Sequence, residues 1–228
     1  MRKICVFVGS RANYSSIKSV MTSVMNHQKL KLQVVLGASA VLDRFGKVED
    51  LIRKDGFEPN FVFHNIVEGE TPATMAKSTG LGLMDASMIF DNLQPDILVV
   101  VGDRFEMMSV TLAAAYMNII IVHTMGGEVT GTIDESIRHA ITKFAQIHFP
   151  ANEDSRQRII KMGEDPEFVF NVGCPRTDLV ADELKNDSYQ VLNSIFKIFG
   201  GVGKDFNLKE PYLLVSQHSV TTEFGNNR

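Results

Sequence analysis

The chain has 228 residues, 44% hydrophobic and 22% charged, which supports a buried core of ordinary size and excludes a disordered or fibrous polymer. Its 23 Lys and Arg against 27 Asp and Glu leave a net charge of −4, with no basic cluster longer than a pair, so no nucleic-acid partner is expected. No apolar run reaches the roughly 18 residues of a membrane span, and the two cysteines, Cys5 and Cys174, suggest neither a disulfide framework nor a metal site; a cytoplasmic protein is expected.

In chain order, a β-branched run at Ile4–Val8 ends in Gly9-Ser10-Arg11 and precedes a helical pattern at Ser15–Met25. The alternation continues through a strand at Leu32–Leu36, a helix at Val48–Lys54, a strand at Phe61–Phe63 and a helix at Thr74–Leu93. The strand Ile97–Val101 runs into Gly102-Asp103-Arg104-Phe105-Glu106 and a helix at Glu106–Met117. The strand Ile119–Val122 runs into His123-Thr124-Met125-Gly126-Gly127-Glu128, then helices at Glu135–Gln146 and Glu153–Met162. A strand at Phe168–Val172, a helix at Asp178–Phe199 and a last strand at Tyr212–Val215 complete the reading. Continuous apolar strands separated by helices predict an α/β fold whose parallel sheet is buried on both faces. The glycines of Phe199–Asp205 do not make a P-loop, since Asp205 follows Lys204, and no G-x-G-x-x-G follows the first strand.

Ligands bind outside the carboxyl ends of strands in such sheets. That places Arg11, Gly102, Asp103, Arg104, Gly127 and Glu128 along one edge. Asp103 reads equally well as an N-cap of the next helix, and Glu128 as a solvated loop residue beside two glycines. Thr132-Ile133-Asp134-Glu135 fits a capping box, with Asp134–Arg138 and Glu135–His139 one turn apart. That helix start, close after Glu128, is also a place for an anion such as phosphate. Arg11 has the bidentate donors a diphosphate prefers, and His218 follows another strand end. Each has a plain alternative, as a surface arginine or a structural histidine.

The stretch from Gly126 to Lys143, with Gly102–Glu106, Gly9–Tyr14, Val35–Gly37, Gly173–Pro175 and Gln217–Glu223, resembles the hydrolysing UDP-N-acetylglucosamine 2-epimerases. These include bacterial enzymes of sialic and legionaminic acid synthesis and the epimerase half of the animal bifunctional epimerase/kinase. The resemblance implies the first Rossmann-like domain of a two-domain GT-B architecture at residues 1–172. Residues 173–228 would hold a linker helix and the opening strand of a truncated second domain. The implied reaction takes UDP-GlcNAc and water to ManNAc and UDP through a glycal, with no cofactor and no metal. Asp103, Glu128, Asp134 and His218 are then the implied catalytic residues. Arg11, Gly102, Arg104, Gly127, Glu135 and Arg138 are implied to bind substrate. Partners would be the nucleotide sugar and copies of the chain in a dimer or tetramer, with no membrane. Two departures stand out: Gly37–Leu42 lacks the histidine many members carry there, and Ala12-Asn13-Tyr14 replaces the Pro-Glu pair of non-hydrolysing relatives. Alternatives are a non-hydrolysing UDP-GlcNAc/UDP-ManNAc epimerase and a non-catalytic nucleotide-sugar-binding domain.

Overall fold

A computed structural model describes residues 1–185 together with 194, 198–200, 202–203, 207 and 210–216. By internal packing the chain divides into Met1–Thr177 and Asp178–Arg228, and the first unit contains the whole sheet.

That unit alternates strand and helix. Strands β1 (Arg2–Val8), β2 (Leu30–Leu36), β3 (Phe61–Val62), β4 (Ile97–Val101), β5 (Ile120–Thr124) and β6 (Ile147–Phe149) form one sheet in the order β3-β2-β1-β4-β5-β6. Every neighbouring pair is parallel. Helices α1 (Arg11–Met25), α2 (Val48–Lys54), α3 (Pro72–Leu93), α4 (Phe105–Tyr116), α5 (Ile133–Phe144) and α6 (Glu153–Lys161) connect or follow the strands. α7 (Arg176–Glu183) marks the boundary between the units.

The strand period of two divides the core between the sheet's faces. Val6, Val8, Val34, Leu36, Val99 and Val101 pack with Ile17 and Met21 of α1 and Ile52 of α2. Cys5, Phe7, Val35, Leu98, Val100 and Ile121 pack on the other face with Phe90 of α3, Val110 of α4 and Ile141 of α5. Burial of each large side chain here contributes on the order of 1.5–3 kcal/mol. The strand order reverses between β1 and β4, which opens a crevice at their carboxyl ends. This is the doubly wound, Rossmann-like arrangement the apolar pattern predicts.

Four readings change. Helix α1 begins at Arg11 because Ser10 caps it, its Oγ accepting from the Asn13 N–H at 3.2 Å, so Arg11 sits in a helical first turn and not on a loop. The sixth strand is Ile147–Phe149, and the expected strand at Phe168–Val172 is not formed. Pro166–Phe168 makes a 3-10 turn capped by Asp165, and Val169 bridges His148 alone. The three-residue β6, with a histidine at its centre, gives no apolar run to read. Finally, Pro211–Ser216 is irregular, with Leu213 93% exposed: an apolar tetrad becomes a strand only against a neighbouring ladder. The helix expected over Asp178–Phe199 is observed to Glu183, and most of its remainder lies outside the described residues. No helix among the described residues is long and apolar enough to cross a membrane.

Candidate active site

Three turns meet at the carboxyl edge of the sheet: β1 into α1, β4 into α4, and β5 into α5. Their approach is close enough to require glycine. A Cβ on Gly9 would lie 2.6 Å from Glu106 Cγ, so the Glu106 side chain lies directly against the end of β1. Gly127 has φ +79°, and a Cβ there would lie 2.4 Å from the Ser155 carbonyl oxygen, a backbone atom that cannot step aside. Asn13 adds a tie from α1, donating from Nδ2 to the Val101 carbonyl at 3.4 Å.

Asp103 does not cap α4. Arg104 is the capping residue and makes no side-chain cap bond. The Asp103 carboxylate instead pairs with Arg138, whose Nη2 donates to Oδ2. The same guanidinium donates from Nη1 to the Glu128 carbonyl at 2.7 Å. Arg138 is 3% exposed. One buried cation therefore joins the turn after β4 to the turn after β5. The expected Asp134–Arg138 pair along α5 is not formed, because the Arg138 fork turns toward Asp103 and the Glu128 backbone.

A second clamp lies beneath. His123 is fully buried on β5, and burial pushes its pKa down to about 4, so the ring is neutral. Its Nε2 lies 2.8 Å from the Gly102 carbonyl. A carbonyl can only accept, so Nε2 carries the hydrogen, and Nδ1 faces the Thr142 hydroxyl, whose one hydrogen is shared between Nδ1 and the Arg138 carbonyl, each at 3.1 Å.

The capping box expected at the start of α5 is not formed. Thr132 is the cap residue but makes no side-chain cap bond. Glu135 reaches back further than expected, and its Oε2 accepts from the Thr130 and Gly131 N–H groups at 2.7 Å each. Those bonds hold its carboxyl below the usual range. His139 is 3.9 Å from Glu135, as the one-turn spacing predicts.

Glu128 is half-buried, and burial pushes its carboxyl up while the charge of Arg176 opposes the shift. Arg176 is itself held against α1 through Ser16 Oγ at 2.6 Å. Asp134 lies in the first turn of α5, where its negative charge is felt by both Arg104 and Glu106. Arg11 is exposed at the N-terminus of α1. Gly127 contributes its carbonyl to Arg158 of α6. Thus the structure brings Gly102, Asp103, Arg104, Gly127, Glu128, Asp134, Glu135 and Arg138 to one edge, with Arg11 on the helix that follows β1. His218 lies outside the described residues.

Four further residues shape this edge: Glu106, His123, Arg158 and Arg176. Glu106 and His123 had a legible signal, a charged or titratable side chain inside an otherwise apolar helix or strand end. The reach of Arg158 and Arg176 to this edge depends on tertiary placement and has no local signature.

The chain matches the profile of the UDP-N-acetylglucosamine 2-epimerase family over residues 22–228. It is 33% identical over 193 residues to the hydrolyzing UDP-N,N'-diacetylbacillosamine 2-epimerase of Legionella pneumophila, covering 85% of this chain and 51% of that protein. It is 30% identical over 226 residues to the hydrolyzing GDP/UDP-N,N'-diacetylbacillosamine 2-epimerase of Campylobacter jejuni, covering 99% of this chain and 56% of that protein. The crystal structure of UDP-GlcNAc 2-epimerase from Neisseria meningitidis bound to UDP-GlcNAc superimposes with a TM-score of 0.72 at 18% identity, over 87% of this chain and 53% of that one. The chain spans about half the length of the curated relatives it matches.

Proposed function

The chain belongs to the UDP-N-acetylglucosamine 2-epimerase family, and from that premise we propose that the full protein performs a hydrolysing 2-epimerisation, taking UDP-GlcNAc and water to ManNAc and UDP. Two relatives at 30–33% identity carry the hydrolysing activity in their names, which supports this branch. The observation that carries the chemistry is the buried Arg138, which fixes Asp103 and the Glu128 backbone together at the crevice where a parallel sheet holds its ligand.

The reaction needs two carboxylates in opposite protonation states, and their environments provide that difference. Asp103, paired with a guanidinium, is held as the anion and takes the proton from C2. The C2–H electrons form the C1=C2 bond of a glycal as the C1–O bond breaks and UDP leaves. Glu128, whose carboxyl burial pushes up, is the better placed of the two to carry a proton and deliver it to the opposite face of C2. Water then adds at C1 and gives up its proton to the emptied Glu128. Asp103 releases the original C2 proton to solvent with the products. Asp134 is the third carboxylate of the site, near enough for its charge to act on Arg104. Arg11, Arg104 and His218 neutralise the departing diphosphate, the task for which preorganised cations are most effective. Gly102, Gly127 and Glu135 shape the turns around the sugar. Arg138, with its fork already engaged by protein, holds the carboxylate turns and does not contact substrate.

In this reading residues 173–228 lead into a second domain of the same class, and the working enzyme is a homodimer or homotetramer. The test is proton NMR of the full-length protein mixed with UDP-GlcNAc. Free ManNAc with UDP is the expected product; intact UDP-ManNAc would assign the non-hydrolysing reaction, and binding without turnover would assign a nucleotide-sugar-binding role.

A further inference from the structure

The mechanism leaves one buried ionisable group unused. Glu106, in the first turn of α4, has a side chain with 0% exposure. Its Oε1 accepts from Arg104 Nε at 2.6 Å, while Oε2 has no hydrogen-bond partner among the described residues. Gly9 provides the space it occupies, since any larger residue there would strike Glu106 Cγ. A carboxylate buried with one oxygen unpaired is a poor way to fill a core, and a side chain of similar volume without charge would pack there at less cost. Its presence there calls for a role other than packing.

The role lies in its partner. Arg104 is 49% exposed and its Nε alone meets Glu106. Its two terminal nitrogens make no hydrogen bond among the described residues, and its guanidinium carbon stands 5.9 Å from the Phe105 ring centroid. An arginine fastened at Nε against a buried carboxylate and flanked by an aromatic ring has lost most of its rotamers. Its free fork then has a fixed direction at the carboxyl edge of the sheet, beside Asp134. A fork held this way suits an oxygen-rich anion, for which guanidinium geometry is bidentate.

We propose that Glu106 is a positioning residue that aims the Arg104 fork at the diphosphate of the nucleotide sugar. This rests on the function proposed above. The two are separated by combining steady-state kinetics on UDP-GlcNAc with NMR of the arginine Nε–H groups in the full-length protein. Glu106→Gln keeps the volume and removes the charge. The expected result is a kcat/KM lowered about tenfold, as for one charge-assisted contact, with an unchanged or higher melting temperature. The Arg104 Nε–H resonance, assigned by its loss in Arg104→Ala, should move and exchange faster with water. Arg104→Ala combined with Glu106→Gln should be no worse than Arg104→Ala alone, because the carboxylate acts only through the arginine. Additive losses in the double variant, an unchanged kcat/KM in Glu106→Gln, or an undisturbed Arg104 resonance would each overturn the assignment. A wild-type protein inert toward UDP-GlcNAc would overturn the function instead, and the resonance would still decide whether Glu106 orients Arg104.

Discussion

Two arginine–carboxylate pairs sit side by side at the end of β4, and they are built in opposite senses. In the Arg138–Asp103 pair the cation is buried, its side chain 4% exposed, while the carboxylate is 23% exposed. In the Arg104–Glu106 pair the carboxylate is buried completely and the cation is 49% exposed. The difference indicates a division of labour. A buried ion must be held by its partner or incur a large desolvation cost, so the exposed member of each pair is fixed in direction by the buried one. The crevice therefore receives one oriented anion, Asp103, and one oriented cation, Arg104, which the proposed function uses for proton chemistry and for a diphosphate. Burial has sorted the four groups into two that reach the solvent side of the crevice and two that face the fold.

Substitutions separate the two halves of that contrast. The largest effect belongs to the ligand-facing carboxylates. Asp103→Asn or Glu128→Gln should lower kcat by about a thousandfold or more, while circular dichroism and melting temperature stay near wild type. Replacing the buried member should move fold and activity together. Arg138→Met removes the cation that spans Asp103 and Glu128 and should lower kcat by about a hundredfold. It should also reduce stability by about 2 kcal/mol in urea melts, below the full cost of an unpaired buried ion because water reaches Asp103.

The clamp beneath both pairs responds to pH. His123 is neutral in the fold, with its pKa pushed down to about 4, and ordinary when unfolded. Below about 6.5 the unfolded chain binds a proton that the folded chain refuses, so stability falls with falling pH and levels out near 4. The loss from His123 across that window is about 3 kcal/mol, measured as the pH dependence of the urea midpoint and reduced by that amount in a His123→Gln variant that stays folded, where His148, also pushed down by burial, keeps its own share. The smallest effect is predicted for Thr142→Val, which removes the hydroxyl that lies between His123 Nδ1 and the Arg138 carbonyl. It should cost about 1 kcal/mol and leave KM unchanged, since the hydroxyl supports the clamp and not the ligand.

The sheet was legible because its strands are uninterrupted apolar runs, and the carboxyl-edge rule led from them to Gly102–Arg104 and Gly126–Glu128. Strand β6 was not, because three residues around a histidine carry no period. Its neighbour Phe168–Val172 had the composition of a strand but only one residue of ladder. At the site, the residue types were readable and their pairings were not. Asp134–Arg138 has the correct helical spacing, yet Arg138 turns to Asp103, 35 residues away in sequence. Glu135 was expected to meet the cap residue and reached Thr130 and Gly131 instead. Helical spacing gives the neighbours that are possible, and tertiary burial selects among them. Glu106 stands between the two cases: a charge in an otherwise apolar helix is visible in the sequence, but its burial against Gly9 is a tertiary fact.

The assignment of roles at C2 meets its most direct test in heavy water. The full-length protein and its Asp103→Asn and Glu128→Gln variants would be mixed with UDP-GlcNAc in D2O and followed by proton NMR. The account predicts that wild type releases UDP and ManNAc carrying deuterium at C2. Glu128→Gln should release UDP and accumulate the glycal, and Asp103→Asn should release neither. Release of UDP by Asp103→Asn at the wild-type rate would contradict the account, because C2 would then lose its proton to some other group.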